Sequence, residues 1–314
     1  MPQPHDSIAA SRQELADIID RHCNRAAGIH ETAIDSLSLA RLEQPSEGRM
    51  PTLYRPALCV IAQGSKEIRV GPEIYRYDEL NLLVVSVTLP VCGQVVEASA
   101  DKPYLSLRLD IDPGELTRLI ADAGLAGAAP RPAGRGIYLQ RLDSTVLDAL
   151  LRLMRLLDSA RDIPMLAPLF VREILYRLLR GPQGHLLHDL AMTDSQTHRV
   201  TRAIEWLNRN FDKALRIDDL AREVNLSAST LHHRFKEVTA LSPLQYQKQL
   251  RLQEARRLML SEGLEVAVAG HRVGYESPSQ FSREFKRLFG RSPVHETRHL
   301  KALLSMAPAV DVAS

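Results

Sequence analysis

The sequence predicts an α+β, multidomain protein: an antiparallel β domain with flanking helices, then an all-α domain of two helix-turn-helix motifs joined by a long helix. Three observations predict it. Short runs rich in β-branched residues and Leu, separated by Gly, Pro and Asp, occupy residues 52–111. The stretch EVNLSASTLHHRFKEVTALSP, Glu223 to Pro243, returns about fifty residues later as RVGYESPSQFSREFKRLFGRSP, Arg272 to Pro293. Between the copies lies SPLQYQKQLRLQEARRLML, Ser242 to Leu260, a helical pattern without an internal breaker.

Composition bounds the answer. At 314 residues the chain exceeds one ordinary core, so two domains are expected. With 45% hydrophobic and 25% charged residues it is globular. No apolar run approaches ~18 residues. The start, MPQPHDSIAASRQELADIID, has an early acid and no apolar segment of a secretion signal, so a cytoplasmic protein without membrane association is expected. Cys23, Cys59 and Cys92 are odd in number and far apart, which argues against a disulfide framework and a structural zinc site. The net charge of +2 conceals an asymmetry: residues 1–194 sum to −4 and residues 195–314 to +6. A basic final third fits a polyanionic partner.

Taken in order, residues 12–42 carry apolar positions at helical spacing, Leu15, Ile18 and Ile19, then Ala33, Ile34, Leu37, Leu39 and Leu42, with Gly28 interrupting them. The strand runs follow, divided at Gly64, Gly71-Pro72, Asp78, Pro90, Gly93 and Asp101-Lys102-Pro103. Their spacing predicts an antiparallel sandwich or barrel. Asp112-Pro113 opens a helix that ends at Gly124, residues 124–136 read as a Gly/Ala/Pro-rich loop, and helices begin near Leu142 and Pro168. Pro182, Gly184 and TDSQT at 193–197 mark the domain boundary, giving domains over 1–190, with helices about 112–181, and 195–303, with a tail at 304–314.

In the repeat, Ser229 aligns with Ser279, Leu231 with Phe281, Phe235 with Phe285, Lys236 with Lys286, and Ser242-Pro243 with Ser292-Pro293. Each copy runs helix, tight turn, second helix with a Ser-containing cap, and the second copy has one extra turn residue. Leu231, Phe235, Phe281 and Phe285 belong to the motif cores. A connecting helix of about twenty residues is ~30 Å long, close to the ~34 Å of one B-DNA turn, so the two motifs can enter successive major grooves. Two copies are too few for a solenoid.

These residues resemble a known family. Residues 199–299 look like the DNA-binding domain of the AraC/XylS family of bacterial transcription regulators, with VGYESPSQFSREFKRLFGRSP as the most recognisable stretch; Gly270-His271 departs from its usual Ala-aromatic pair. The resemblance implies base-reading positions at Ser229, His232, His233, Ser279, Gln280 and Arg283. Chemistry supports Arg283 for guanine O6 and N7, and Gln280 for adenine N6 and N7. Thr230, Arg234, Lys236, Lys286, Arg287 and Arg291 are read as phosphate contacts or solvated charges.

The strand-rich segment resembles the cupin-like N-terminal domain of one AraC subgroup, which implies control by a small-molecule effector and dimerisation, here through the apolar helices of residues 142–180. RNA polymerase is the further partner implied, with activation as the family's commoner habit. A cupin enzyme is the rival, but no histidine lies between His30 and His185, and GxSxG, P-loop and HExxH signatures are absent. No catalytic role, metal or cofactor is expected. A thiol-based redox or electrophile sensor using Cys92, placed in a loop, or Cys59 is the alternative; the local sequence around Cys92 supplies no positive charge to activate it.

Overall fold

The computed structural model describes residues 4–125, 134–191 and 196–306. Helix α1 (Pro4–His22) buries Leu15, Ile18 and Ile19. Strands β1 (Gly28–Glu31) and β2 (Leu37–Leu42) follow. The helical spacing read over 33–42 is therefore corrected: Leu37 and Leu39 alternate with half-buried Ser38, Ala40 and Leu42, which is the period of a strand, and Ile34 lies in the connecting turn. The strand region thus begins 24 residues before the expected Thr52. It continues as β3 (Met50–Tyr54), β4 (Ala57–Gln63), β5 (Ser65–Val70), β6 (Glu73–Asp78), β7 (Asn81–Val85), β8 (Leu89–Glu97) and β9 (Tyr104–Asp110).

Helix α2 (Pro113–Asp122) starts where Asp112 accepts a hydrogen bond from the Gly114 amide. Strand β10 (Ile137–Arg141) then interrupts a stretch expected to be helical; its five residues pair with β7 and close one edge of the sheet. Of the loop predicted at 124–136, residues 126–133 lie outside the described residues. Helices α3 (Ser144–Arg155), α4 (Ile163–Arg180) and α5 (Gly184–Ala191) complete this half. Helix α4 begins five residues before Pro168, which it accommodates inside its first turns.

The strands form two antiparallel sheets, in the orders β1-β2-β9-β4-β7-β10 and β3-β8-β5-β6. One face of the larger sheet packs on α1, and α3 packs on α1 and α4. Its other face meets the smaller sheet, as the approach of Arg108 on β9 to the Tyr54 ring of β3 shows.

The remainder is helical: α6 (Gln196–Arg209), α7 (Ile217–Glu223), α8 (Ala228–Thr239), α9 (Pro243–Ser261), α10 (Val266–Arg272), α11 (Pro278–Phe289) and α12 (Pro293–Met306). Among the described residues no helix is long and apolar enough to cross a membrane. The β domain and the helical part meet directly. Tyr246 on α9 donates its hydroxyl to Thr88 O at 2.9 Å, Arg256 donates to Pro51 O at 2.5 Å, and the Gly136 amide donates to Val238 O at 2.9 Å. Arg135, paired with Glu73, also donates to the carbonyls of Lys236 and Glu237 at the end of α8.

Candidate nucleic-acid interface

Two helix-turn-helix units stand at the ends of α9. In the first, α7 leads through four residues to α8, where the Ser227 hydroxyl accepts from the Thr230 amide at 3.1 Å. In the second, α10 leads through five residues to α11, where Ser277 accepts from the Gln280 amide at 3.3 Å and Pro278 opens the helix. The extra turn residue is thus where the sequence comparison puts it. Both turns need a left-handed residue at the same place: Asn225 has φ 54° and its counterpart Gly274 has φ 89°.

Each unit is held from beneath by its own aromatics. Phe235 meets Tyr246 edge-on at 5.4 Å. Phe281 lies 5.3 Å from Tyr275 and 5.5 Å from Phe285, which stacks at 4.2 Å on Phe289. Leu231, Phe235, Phe281 and Phe285 are fully buried, as expected of core residues. Gly270 lies under this cluster: an added Cβ would sit 3.1 Å from the Phe281 ring, so the departure from the Ala-aromatic pair gives the ring room.

The outer faces differ in what they offer. Ser229, His232 and His233 on α8, and Ser279, Gln280 and Arg283 on α11, are all exposed. Arg283 makes no ion pair among the described residues, which leaves its guanidinium available. Gln280 is partly tethered, its amide 3.3 Å from Glu284. Lys236, Lys286, Arg287 and Arg291 are exposed, whereas Arg234 is half-buried and paired with Glu237 at 2.7 Å. The Thr230 hydroxyl sits 2.8 Å from the capping Ser227 hydroxyl, so its first role is local.

Two structural residues were not legible in the sequence. Arg251 on α9 donates to Phe211 O, Gly274 O and Lys213 O at 2.6, 2.8 and 2.8 Å, and so ties the turn of the second unit to the loop before α7. Its partners are carbonyls, which carry no residue-type signal. Glu284 accepts from Lys248 and from the Tyr275 hydroxyl, both at 2.8 Å; burial opposes its charge, but these donors hold its pKa below the ordinary value.

The cysteines occupy different ground from that expected. Cys92 lies in strand β8, not in a loop, opposite Pro51 and Arg69. Arg49, Arg69 and Arg256, distant in sequence, bring positive charge near it, yet burial outweighs them and raises its pKa. Cys59 is buried in β4 and raised for the same reason, and burial pushes Cys23 up to about 11. Raised values oppose the thiolate that reactivity requires.

Comparison with known proteins follows the same division. The family described as the AraC-type transcriptional regulator N-terminus matches residues 33–186, and a helix-turn-helix domain family matches residues 220–299. The Msm operon regulatory protein of Streptococcus mutans is 32% identical over 138 residues, 44% of this chain and 48% of that protein. The transcriptional activator RhaS of Yersinia pestis is 29% identical over 136 residues, 43% of this chain and 47% of that protein. The chain thus spans about half the length of the curated relatives it matches. The crystal structure of ToxT from Vibrio cholerae superposes with a TM-score of 0.54 at 11% identity, covering 84% of this chain and 97% of ToxT, a likeness of fold.

Proposed function

We propose that this chain, which belongs to the AraC-type family of transcriptional regulators, is a cytoplasmic, sequence-specific DNA-binding activator controlled by a small-molecule effector. The carrying observation is the pair of capped, exposed helices α8 and α11 at the ends of one rigid helix. At ~1.5 Å per residue the 19 residues of α9 span roughly 28 Å, which suits successive major grooves on one DNA face. Residues 195–303 are the DNA reader and residues 1–190 the effector domain. Ser229, His232, His233, Ser279, Gln280 and Arg283 read bases; Lys236, Lys286, Arg287 and Arg291 position the phosphates, with Arg234 and Thr230 acting mainly within the protein.

Dimerisation uses residues 142–180. Met165, Leu169 and Tyr176 on α4 are 75%, 58% and 42% exposed and recur along one helical stripe. A monomer in sedimentation at micromolar concentration would remove this part of the reading. RNA polymerase is the partner through which activation would act.

The regulator reading is tested by incubating the full chain with sheared DNA of its own genome and sequencing what is retained at moderate salt. Enrichment of a few promoter sites holding paired motifs about one turn apart is the expected result. Uniform recovery, unchanged by added cell metabolites, would overturn it.

A further inference from the structure

The two helix-turn-helix units divide α9 between them. Tyr246 and Leu250 belong to the core of the first, and Leu252, Ala255, Leu258 and Met259 to that of the second. The divide falls at Arg251, the residue between. Each end of α9 lies about half its length from there, ~14 Å at ~1.5 Å per residue. A helix of this length ordinarily curves by roughly 20°, with a radius of ~60–100 Å. Over ~14 Å a bend of about 14° displaces the far end by ~3.4 Å, the step of one base pair. The backbone of α9 is therefore too compliant to hold the two units to a single base pair, and a brace across the divide has to supply the rest.

Such a brace is present. Arg251 donates its Nε to Phe211 O at 2.6 Å, one terminal nitrogen to Gly274 O at 2.8 Å, and the other to Lys213 O and Asp212 O at 2.8 and 3.2 Å. Residues 211–213 lead into α7 of the first unit, and Gly274 turns α10 into α11 of the second. The planar guanidinium presents its N–H groups at fixed angles, so bonding both backbones sets one against the other. The two backbones touch: a Cβ on Gly274 would stand 2.1 Å from Asp212 O. Phe211 packs against both cores, and the Tyr275 ring of the second unit lies 5.9 Å from the guanidinium. Gln247, one turn earlier and buried, donates to Phe211 O and Lys213 O at 3.0 and 2.8 Å, both in the first unit. Gln247 thus shapes the loop, and Arg251 joins it to the other unit.

We propose that Arg251 is a positioning residue for half-site spacing. By fixing the α10–α11 turn against the loop before α7, it makes the chain accept one separation of the two half-sites and refuse a duplex with one base pair more or fewer. One base pair shifts the second half-site by ~3.4 Å and turns it by about 35° around the DNA axis. The turn is shared with the duplex, which over- or untwists at modest cost, whereas the displacement falls on the protein. The inference rests on the reading of α8 and α11 as a double DNA reader, but the brace is also tested without DNA.

Fluorescence anisotropy compares binding of the full chain to a duplex holding its paired site, to the same duplex with one base pair inserted or deleted between the half-sites, and to one with the second half-site scrambled. The wild type loses at least tenfold on insertion or deletion. Arg251→Met, which keeps the apolar stem, loses less than threefold, with Arg251→Lys between the two. Both variants still weaken on the scrambled half-site, a sensitivity that a second unit unfolded by the substitution would lack. Gln247 still holds the loop in both, and thermal unfolding checks that they fold. Without DNA, nitroxide labels at the exposed positions Asp218→Cys on α7 and Ala267→Cys on α10, in a Cys92→Ser background, give one narrow distance distribution when Arg251 is present and one at least twice as broad in Arg251→Met. Equal spacing penalties, equal widths, or loss of the response to the scrambled half-site overturn the proposal; equal widths would assign the bracing to α9 and to the contacts of Gln253 and Arg256 with β3. A broadened distribution in Arg251→Met, while the wild type prefers no paired site, counts against the double-reader reading alone.

Discussion

The two helix-turn-helix units share a sequence plan but not a setting. The core of the first, with Leu231, Phe235 and Tyr246, is continuous with the core of the β domain. The second, with Phe281, Phe285 and Tyr275, forms a separate cluster reached through the far end of α9. The end of α8 is gripped by Arg135 and Gly136, while α11 projects beyond that grip. One unit thus shares the core of the β domain, and the other keeps a core of its own while touching the β domain at β3. A change in the sandwich has a short route to α8 through the Arg135 latch, whereas α11 meets the sandwich at β3. Under the proposed function, such coupling would act through differing affinity of an effector for two arrangements.

The sharpest way to break this comparison is to empty one core at a time. Phe235→Ala and Phe281→Ala should each cost about 3–5 kcal/mol, the range for deleting a buried phenyl ring. If the cores are distinct, Phe281→Ala unfolds the second unit in an early calorimetric transition and leaves the β domain melting as before. Phe235→Ala should lower the main transition itself. A single shared transition in Phe281→Ala would mean that the two clusters fold as one.

Next in size is the turn. At Gly274 an added Cβ would lie 2.1 Å from Asp212 O and 2.8 Å from the Arg251 guanidinium, in a backbone with φ 89°. Gly274→Ala should cost about 3 kcal/mol, combining a left-handed residue with displacement of a packed backbone. At the matching position of the first unit, Asn225→Gly should change stability by less than about 1 kcal/mol, because asparagine already tolerates that conformation. Urea midpoints compare the two directly.

The same contrast explains what was legible. The repeat could be read because motif cores demand large apolar residues at fixed spacing, and caps demand Ser before the helix: Leu231, Phe281, Ser227 and Ser277 stand where the pattern puts them. The strands over 52–111 showed themselves by punctuation. Strand β2 did not, since Ala33-Ile34 in the preceding turn completes a false helical spacing with Leu37. Strand β10 was hidden because five residues beside a Gly/Pro-rich loop have no period of their own; pairing with β7 makes them a strand. The outer faces were readable as exposed polar positions. The latch at Arg135 and the tie at Arg251 depend on partners distant in sequence, and neither has a local signature.

A smaller effect separates the proposed base reader from the proposed phosphate contact within one helix. Arg283→Ala should cost about 1–3 kcal/mol of specific binding and relax preference at one base pair. Lys286→Ala should weaken all duplexes alike and reduce the salt slope by about one. Fluorescence anisotropy on specific and scrambled duplexes across a salt series measures both. Equal loss on both duplexes for both variants would erase the distinction.

The smallest effect concerns acid, and it belongs to the second unit. Glu284 on α11 has Lys248, Tyr275 and Gln280 as donors, with Arg251 and Arg287 near its tyrosine partner. Its folded pKa is depressed from the ordinary 4.5, so the unfolded chain takes up the proton first. The stabilisation is therefore present above that value and is lost as pH falls through the lower folded value. Glu284→Gln removes the charge but keeps an acceptor, so it should lower stability by about 1 kcal/mol at neutral pH and flatten the decline below pH ~4.5. In the first unit Val224, Leu226 and the Phe235–Tyr246 pair support the helix without a buried carboxylate in that place, since Glu284 aligns with Arg234. Acid should consequently loosen α11 before α8, and Glu284→Gln should narrow the gap between them. Hydrogen exchange of the two helices at pH 4 and 7 reads that order directly; simultaneous loosening would show that the common core, not the local carboxylate, sets the acid response.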